Sequence, residues 1–148
     1  MDYEDMERVL KCAEKHYSDK KFEHAKQVTL YVELDPRYLM MTLEEQYLVR
    51  AVAMAHDLIE DTKCTWSELR NCIKDEVSYR SFYIAVDLLT RKHDDSYSDY
   101  IDIIIRSKNV FAIMVKQADM KDHICRKGTL SKKLKEKYEP VMPKLLRA

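Results

Sequence analysis

A chain of 148 residues is long enough for one domain with a proper core and too short for two ordinary ones, so a single domain over residues 1–148 is expected. One glycine and three prolines leave few ways to make hairpin turns, while charged residues at 35% suit helix faces; this points to an all-α fold. Twenty-six basic and twenty-six acidic side chains leave no net charge, which removes the whole-protein field that nucleic-acid binding exploits.

Asp2 with Asp5 three residues on marks a helix start, and Val9, Cys12, Ala13 and His16 recur on one face of a helix over about residues 3 to 17. His16 reads as a packed core histidine. After a polar break at residues 18–21, Phe22, Ala25, Val28, Thr29 and Val32 define a second helix that stops before Pro36, with His24 turned inward among them. Thr42 and Glu45 make a capping box, so a third helix begins there and is expected to run to Glu60 or Asp61. Thr65 and Glu68 predict another box, opening a short helix anchored by Trp66, Leu69 and Ile73, and a further helix follows over about 77 to 90. Residues 91–95 read as a solvated charged loop, and Ser96 with Asp99 caps a helix rich in isoleucine. A strongly apolar helix from Val110 leads into Lys116, Asp119 and His123 and is expected to end at Gly128; Leu130, Leu134, Tyr138, Val141 and Leu145 then mark a last helix. Cys12, Cys64, Cys72 and Cys125 form no C-x-x-C pair and accompany no signal-peptide pattern or long apolar span, so they read as reduced thiols of a cytosolic protein without a membrane segment.

Chemistry concentrates at Met54-Ala55-His56-Asp57-Leu58-Ile59-Glu60-Asp61-Thr62. On a helix, Asp57 and Asp61 lie one turn apart with Glu60 beside them, and two carboxylates about 5 Å apart repel by roughly 3 kcal/mol at an effective dielectric near 20. The stretch preceding them is apolar nearly all round and so should be buried. The negative pole of a helix C-terminus adds to the cost. A divalent cation offsets both, because imidazole nitrogen and carboxylate oxygen are donors that Mn, Fe or Zn accept. Asp119 shares a face with Phe111 and Val115 and so needs a buried partner, for which Lys116 one turn earlier is the simplest choice.

His24, then His56-Asp57, then Asp119, each on a different predicted helix, resemble the H…HD…D signature of HD-domain metal-dependent phosphohydrolases. The His56 to Thr62 stretch, Leu89-Thr90-Arg91 before Tyr97-Ser98-Asp99-Tyr100-Ile101, and Val115-Lys116-Gln117-Ala118-Asp119 together look like the RelA/SpoT-type and small alarmone hydrolase branch. That resemblance implies an all-α HD bundle of about seven to eight helices that hydrolyses the 3′-pyrophosphate of (p)ppGpp to GDP or GTP and pyrophosphate. Mn²⁺ is the usual metal, with Fe²⁺, Zn²⁺, Co²⁺ and Mg²⁺ as alternatives. Carried over by position, His24, His56, Asp57 and Asp119 would hold the metal, and Glu60 with Asp61 would orient or deprotonate the attacking water. Lys20, Lys21 and Lys116 are cations close to these ligands in sequence and Tyr138 resembles a tyrosine near the nucleotide, so these are the expected substrate contacts, with His123. Two features depart from the branch. Lys21 stands only three residues before His24, where a longer basic segment with Pro-Tyr is usual, and His123 stands where asparagine is usual. Weaker guanine selectivity is the expected consequence. The competing readings are an HD phosphohydrolase of another nucleotide or phosphorylated small molecule, a non-catalytic metal-binding HD module, and a purely structural bundle.

Overall fold

Eleven helical segments make up the secondary structure of residues 1–126 and 131–148, which the computed structural model describes, and no strand occurs among them. In chain order these are α1 (Tyr3–His16), α2 (Asp19–Leu34), α3 (Pro36–Leu39), α4 (Leu43–Ala55), α5 (Leu58–Asp61), α6 (Trp66–Cys72), α7 (Glu76–Leu89), α8 (Tyr97–Ser107), α9 (Val110–Cys125), α10 (Lys132–Tyr138) and α11 (Met142–Leu146). The all-α expectation holds, but the helices outnumber the seven or eight expected: eight have seven residues or more, and α3, α5 and α11 are short additions. Pro36 accounts for α3, because it ends α2 yet is preorganised for a first helical turn, where Asp35 caps Arg37 N. The predicted stop at Gly128 and the contact of Leu130 lie outside the described residues.

Side-chain caps set most helix starts. Asp2, Ser18, Thr42, Thr65, Asp75, Ser96, Asn109 and Ser131 each accept from a backbone N–H in the first turn of the helix that follows. The Thr42 box is reciprocal. At Thr65 the hydroxyl accepts from Glu68 N, but the Glu68 carboxylate turns to His16.

Burial follows from the apolar runs. Helix α4 buries Leu48, Val49 and every residue from Ala51 to Ala55, so it has no solvent face over its last turn and packs against α1, α2, α7 and α9. Helix α9 is buried almost as completely from Ala112 to Asp122, and α2 lies against both. The two most enclosed helices therefore carry the ionisable residues singled out from the sequence. No helix among the described residues is long and apolar enough to cross a membrane.

The third predicted helix does not run on to Asp61. It stops at Ala55, His56 and Asp57 form a turn, and α5 restarts at Leu58. Side chains replace the missing ladder: His56 Nδ1 donates to Ala53 O at 2.6 Å, and the Tyr17 hydroxyl donates to Met54 O at 2.9 Å while accepting from Asp57 N at 3.2 Å. The carbonyls left open by the helix end are thereby satisfied, and Asp57 takes φ −105° and ψ 0°, in the bridge region. Tyr17→Phe removes a donor and an acceptor at the break, and is expected to cost about 1–3 kcal/mol. Urea unfolding should show a lower midpoint with an unchanged slope; a wild-type midpoint would mean that the backbone ladder reforms without the hydroxyl.

Candidate metal centre

Three separate elements converge on one carboxylate. Helix α2 presents His24, the α4–α5 break presents His56 and Asp57, and α9 presents Asp119. Asp119 Oδ1 lies 2.9 Å from His24 Nε2, 3.6 Å from His56 Nε2 and 3.4 Å from His123 Nε2. Its other oxygen, Oδ2, takes the Lys116 ammonium at 2.8 Å. Asp57 Oδ2 sits 3.2 Å from His56 Nε2 and 4.0 Å from His24 Nε2. His24, His56 and Asp119 are all buried, and one donor atom from each falls within 4.8 Å of the others.

The imidazoles are held as metal-binding histidines are held. A carbonyl can only accept, so His56 Nδ1, bonded to Ala53 O, carries the proton; His24 Nδ1 likewise donates to the buried Asp122 carboxylate at 2.6 Å. In each neutral ring Nε2 then offers a lone pair towards Asp119. His56 Nε2 is fully buried and has no hydrogen-bond partner among the described residues. Lone pairs aimed at a carboxylate repel unless a proton or a cation lies between them. Two imidazole nitrogens with carboxylate oxygens are a donor set for a divalent first-row ion, so the residues present fit such a metal.

Without an ion, protons do that work. Burial disfavours a charged His56, but Asp57 and Asp119 outweigh it and raise its pKa well above the usual value. Burial would raise Asp119, yet Lys116 and the surrounding histidines hold it well below the carboxylate range. Asp57 behaves likewise, burial being overcome chiefly by His56. A His56 imidazolium between the Asp57 and Asp119 carboxylates thus carries a proton that a metal would replace.

Around it lies a cavity of about 290 Å³ bordered by Glu60, Asp61, Lys21, Arg91, Lys137 and Tyr138, with His123 also on its wall. Asp57, Glu60 and Asp61 bring carboxylate oxygens within 4.8 Å of one another, the crowding expected from their spacing. Asp61 is neutralised by Lys21 at 2.6 Å, whereas Glu60 Oε1 accepts from the Arg91 backbone N–H at 2.8 Å. Desolvation raises the Glu60 pKa. The lining is also basic: Arg91, Lys116 and Lys137 gather around the Tyr97 ring, with the Lys137 ammonium 4.4 Å from its centroid. Burial, then the repulsion of Arg91 and Lys116, lowers the Lys137 pKa, which marks this part of the lining as short of negative charge.

Of the residues expected from the sequence, His24, His56, Asp57 and Asp119 come together, with Glu60 and Asp61 beside them and Lys21, Lys116, His123 and Tyr138 on the wall. Lys20 does not join them; it is exposed and outside the cavity lining. Lys116 is committed to Asp119 and to the faces of Tyr97 and Tyr100. Sequence reasoning missed Asp122, which sits one turn from Asp119 on α9, as well as Tyr97 and Lys137. It also read Arg91 as solvated loop, although this residue closes on Glu60.

No protein-family model, curated protein or solved structure matches the chain. The protein is an all-helical domain with a buried His/His/Asp cluster suited to a metal ion.

Divalent metal should therefore raise the melting temperature. A concentration 100 times Kd adds about 2.7 kcal/mol when only the folded state binds. Asp122→Asn, which touches no metal in this arrangement, should weaken metal binding by about 10- to 100-fold by freeing the His24 ring. Calorimetric titration of wild type and variant tests both, and equal affinities would remove Asp122 from the centre.

Proposed function

We propose that the protein is a metal-dependent phosphohydrolase of HD type whose substrate is (p)ppGpp, cleaved at its 3′-pyrophosphate, with Mn²⁺ held by His24, His56, Asp57 and Asp119. The observation that supports this reading is the buried His24, His56 and Asp119 group with Asp57 against it, beside a cavity lined by Glu60 and by Arg91, Lys116 and Lys137. When bound, a divalent ion polarises a phosphoryl oxygen and acidifies the attacking water.

The remaining work falls to the chain's own groups. Glu60 is the proton acceptor: its pKa is raised by desolvation, and one of its oxygens is tethered by Arg91 N–H. Asp61, already paired with Lys21, orients that ion pair at the rim. Arg91 and Lys137 face the anionic end of the substrate, and attack at the 3′-phosphoryl phosphorus breaks its bond to the ribose 3′ oxygen, releasing pyrophosphate. Tyr97 and Tyr138 supply aromatic wall, their ring centroids 5.8 Å apart. His123, its ring centroid 4.5 Å from that of His24, contacts substrate where the alarmone branch has asparagine.

A second reading, hydrolysis of a smaller nucleotide or phosphorylated metabolite, is favoured by one feature: 290 Å³ lies at the lower edge of the size range for small-molecule sites. Products separate the two. With Mn²⁺ and ppGpp the expected products are GDP and pyrophosphate; inorganic phosphate, or turnover confined to nucleoside monophosphates, would select the second. Glu60→Gln should keep its metal and lose turnover by about 10²-fold or more, whereas His56→Ala should lose both. A fully active Glu60→Gln would overturn the proton-acceptor role.

A further inference from the structure

Three of the four cysteines, far apart in sequence, meet on the other side of α1. Cys12 and His16 lie one turn apart on α1, Cys64 follows α5, and Glu68 and Cys72 lie on α6. Cys12 Sγ and Cys64 Sγ are 3.7 Å apart, His16 Nε2 and Glu68 Oε2 are 2.6 Å apart, and one donor atom from each of these four residues falls within 4.8 Å of the others. The cysteines are all free.

We propose that Cys12, His16, Cys64 and Glu68 form a second metal site, specific for a thiophilic ion of the Zn²⁺ type and independent of the His24/His56/Asp119 centre. The geometry is that of a tetrahedron about to close. Two Zn–S bonds of about 2.3 Å place their sulfurs about 3.8 Å apart along a tetrahedral edge. The observed 3.7 Å fits without movement of either cysteine. His16 and Glu68 need only exchange their shared proton for the ion and separate by ~0.7 Å to reach a Zn–N, Zn–O edge. The thiol protons leave to solvent on binding.

Ligand softness separates the two centres. Thiolates select Zn²⁺ over Mn²⁺, while an imidazole and carboxylate set accepts either. The four protein ligands leave no open position, which makes the second site structural. It ties α1 and α6 to the segment that leaves α5, and so holds the acidic turn of Asp57, Glu60 and Asp61 from behind. The next residue after His16 is Tyr17, whose hydroxyl spans the α4–α5 break.

Cobalt titration of the reduced full-length chain tests this. Co²⁺ should bind with thiolate-to-cobalt charge-transfer absorption and tetrahedral d–d bands, both displaced by Zn²⁺ and neither displaced by Mn²⁺. Cys12→Ser and Cys64→Ser should abolish the charge-transfer absorption, whereas His56→Ala and Cys125→Ser should keep it at full intensity. Zinc-loaded wild type, alkylated and mapped by mass spectrometry, should show Cys12 and Cys64 protected and Cys125 modified, which makes the test independent of how the variants fold. Absence of thiolate absorption in the wild type, its persistence in both serine variants, or equal alkylation of Cys12 and Cys64 with and without zinc would overturn the proposal. Because His56→Ala is silent in this assay, failure here leaves the phosphohydrolase reading standing, and the converse holds.

Discussion

The structure turns on the carboxylate of Asp119. It is buried at the centre of α9, where an unpaired charge would cost several kcal/mol, and it divides its two oxygens between two tasks. Oδ2 is fixed by Lys116 from the preceding turn of the same helix; Oδ1 is thereby aimed at imidazoles from α2, the α4–α5 break and the next turn of α9. Lys116 supplies the charge balance that lets Asp119 stay ionised, and is in turn held over Tyr97 and Tyr100. Packing of α2, α4 and α9 and the electrostatics of the site are therefore one problem, since none of the three can move without leaving charge unpaired in the core.

The break after Ala55 is what turns an apolar helix into a site. In a continuous helix the Asp57 N–H would bond Ala53 O and the Leu58 N–H would bond Met54 O. Here His56 and Tyr17 occupy those two carbonyls, so the chain swings Asp57 towards His24 and Asp119 and sends Glu60 and Asp61 off on a separate turn. A histidine whose Nδ1 is spent on the backbone has only Nε2 left to offer, and that fixes both its tautomer and the direction of its lone pair. The same interaction ends the helix and orients the ligand.

How much of this was legible beforehand depends on the range of the signal. Caps and helix faces are local, and Asp2, Thr42 and Ser96 marked the starts of α1, α4 and α8, while the far end of α4 was overrun by five or six residues. His56 and Asp119 stood out because each is an ionisable group beside an otherwise apolar stretch, whereas His24 and Asp57 joined them through the resemblance to the H…HD…D pattern. The break at His56 was not legible, because it depends on Tyr17, which is 37 residues away from Met54 in sequence. Asp122 was passed over since its partner, His24, is 98 residues distant. Cys12, Cys64 and Cys72 were read as isolated thiols for the same reason: no spacing rule covers donors that only the packing of α1 on α6 brings together. Lys20 was misplaced by the opposite error, in which closeness in sequence to a ligand was taken for closeness in space.

A chain with no net charge can still bind an anion because the charges are sorted locally. Attraction in solution fades over about 10 Å at ordinary salt, so capture is decided at the mouth of the cavity and not by the molecule's overall field. There the sorting is sharp. Asp57, Glu60 and Asp61 cluster together, Arg91, Lys116 and Lys137 crowd around Tyr97, and among the described residues two lysine–carboxylate pairs join the groups that line the cavity, Lys21 with Asp61 and Lys116 with Asp119. Lys137 is the most revealing member, for burial and its cationic neighbours hold its pKa down, a condition that a bound anion would relieve. The cationic crowding around Lys137 and the donor atoms gathered at Asp119 are complementary: one suits an anion, the other a cation. On the phosphohydrolase reading proposed above, a phosphate ester carried by a divalent metal would answer both at once.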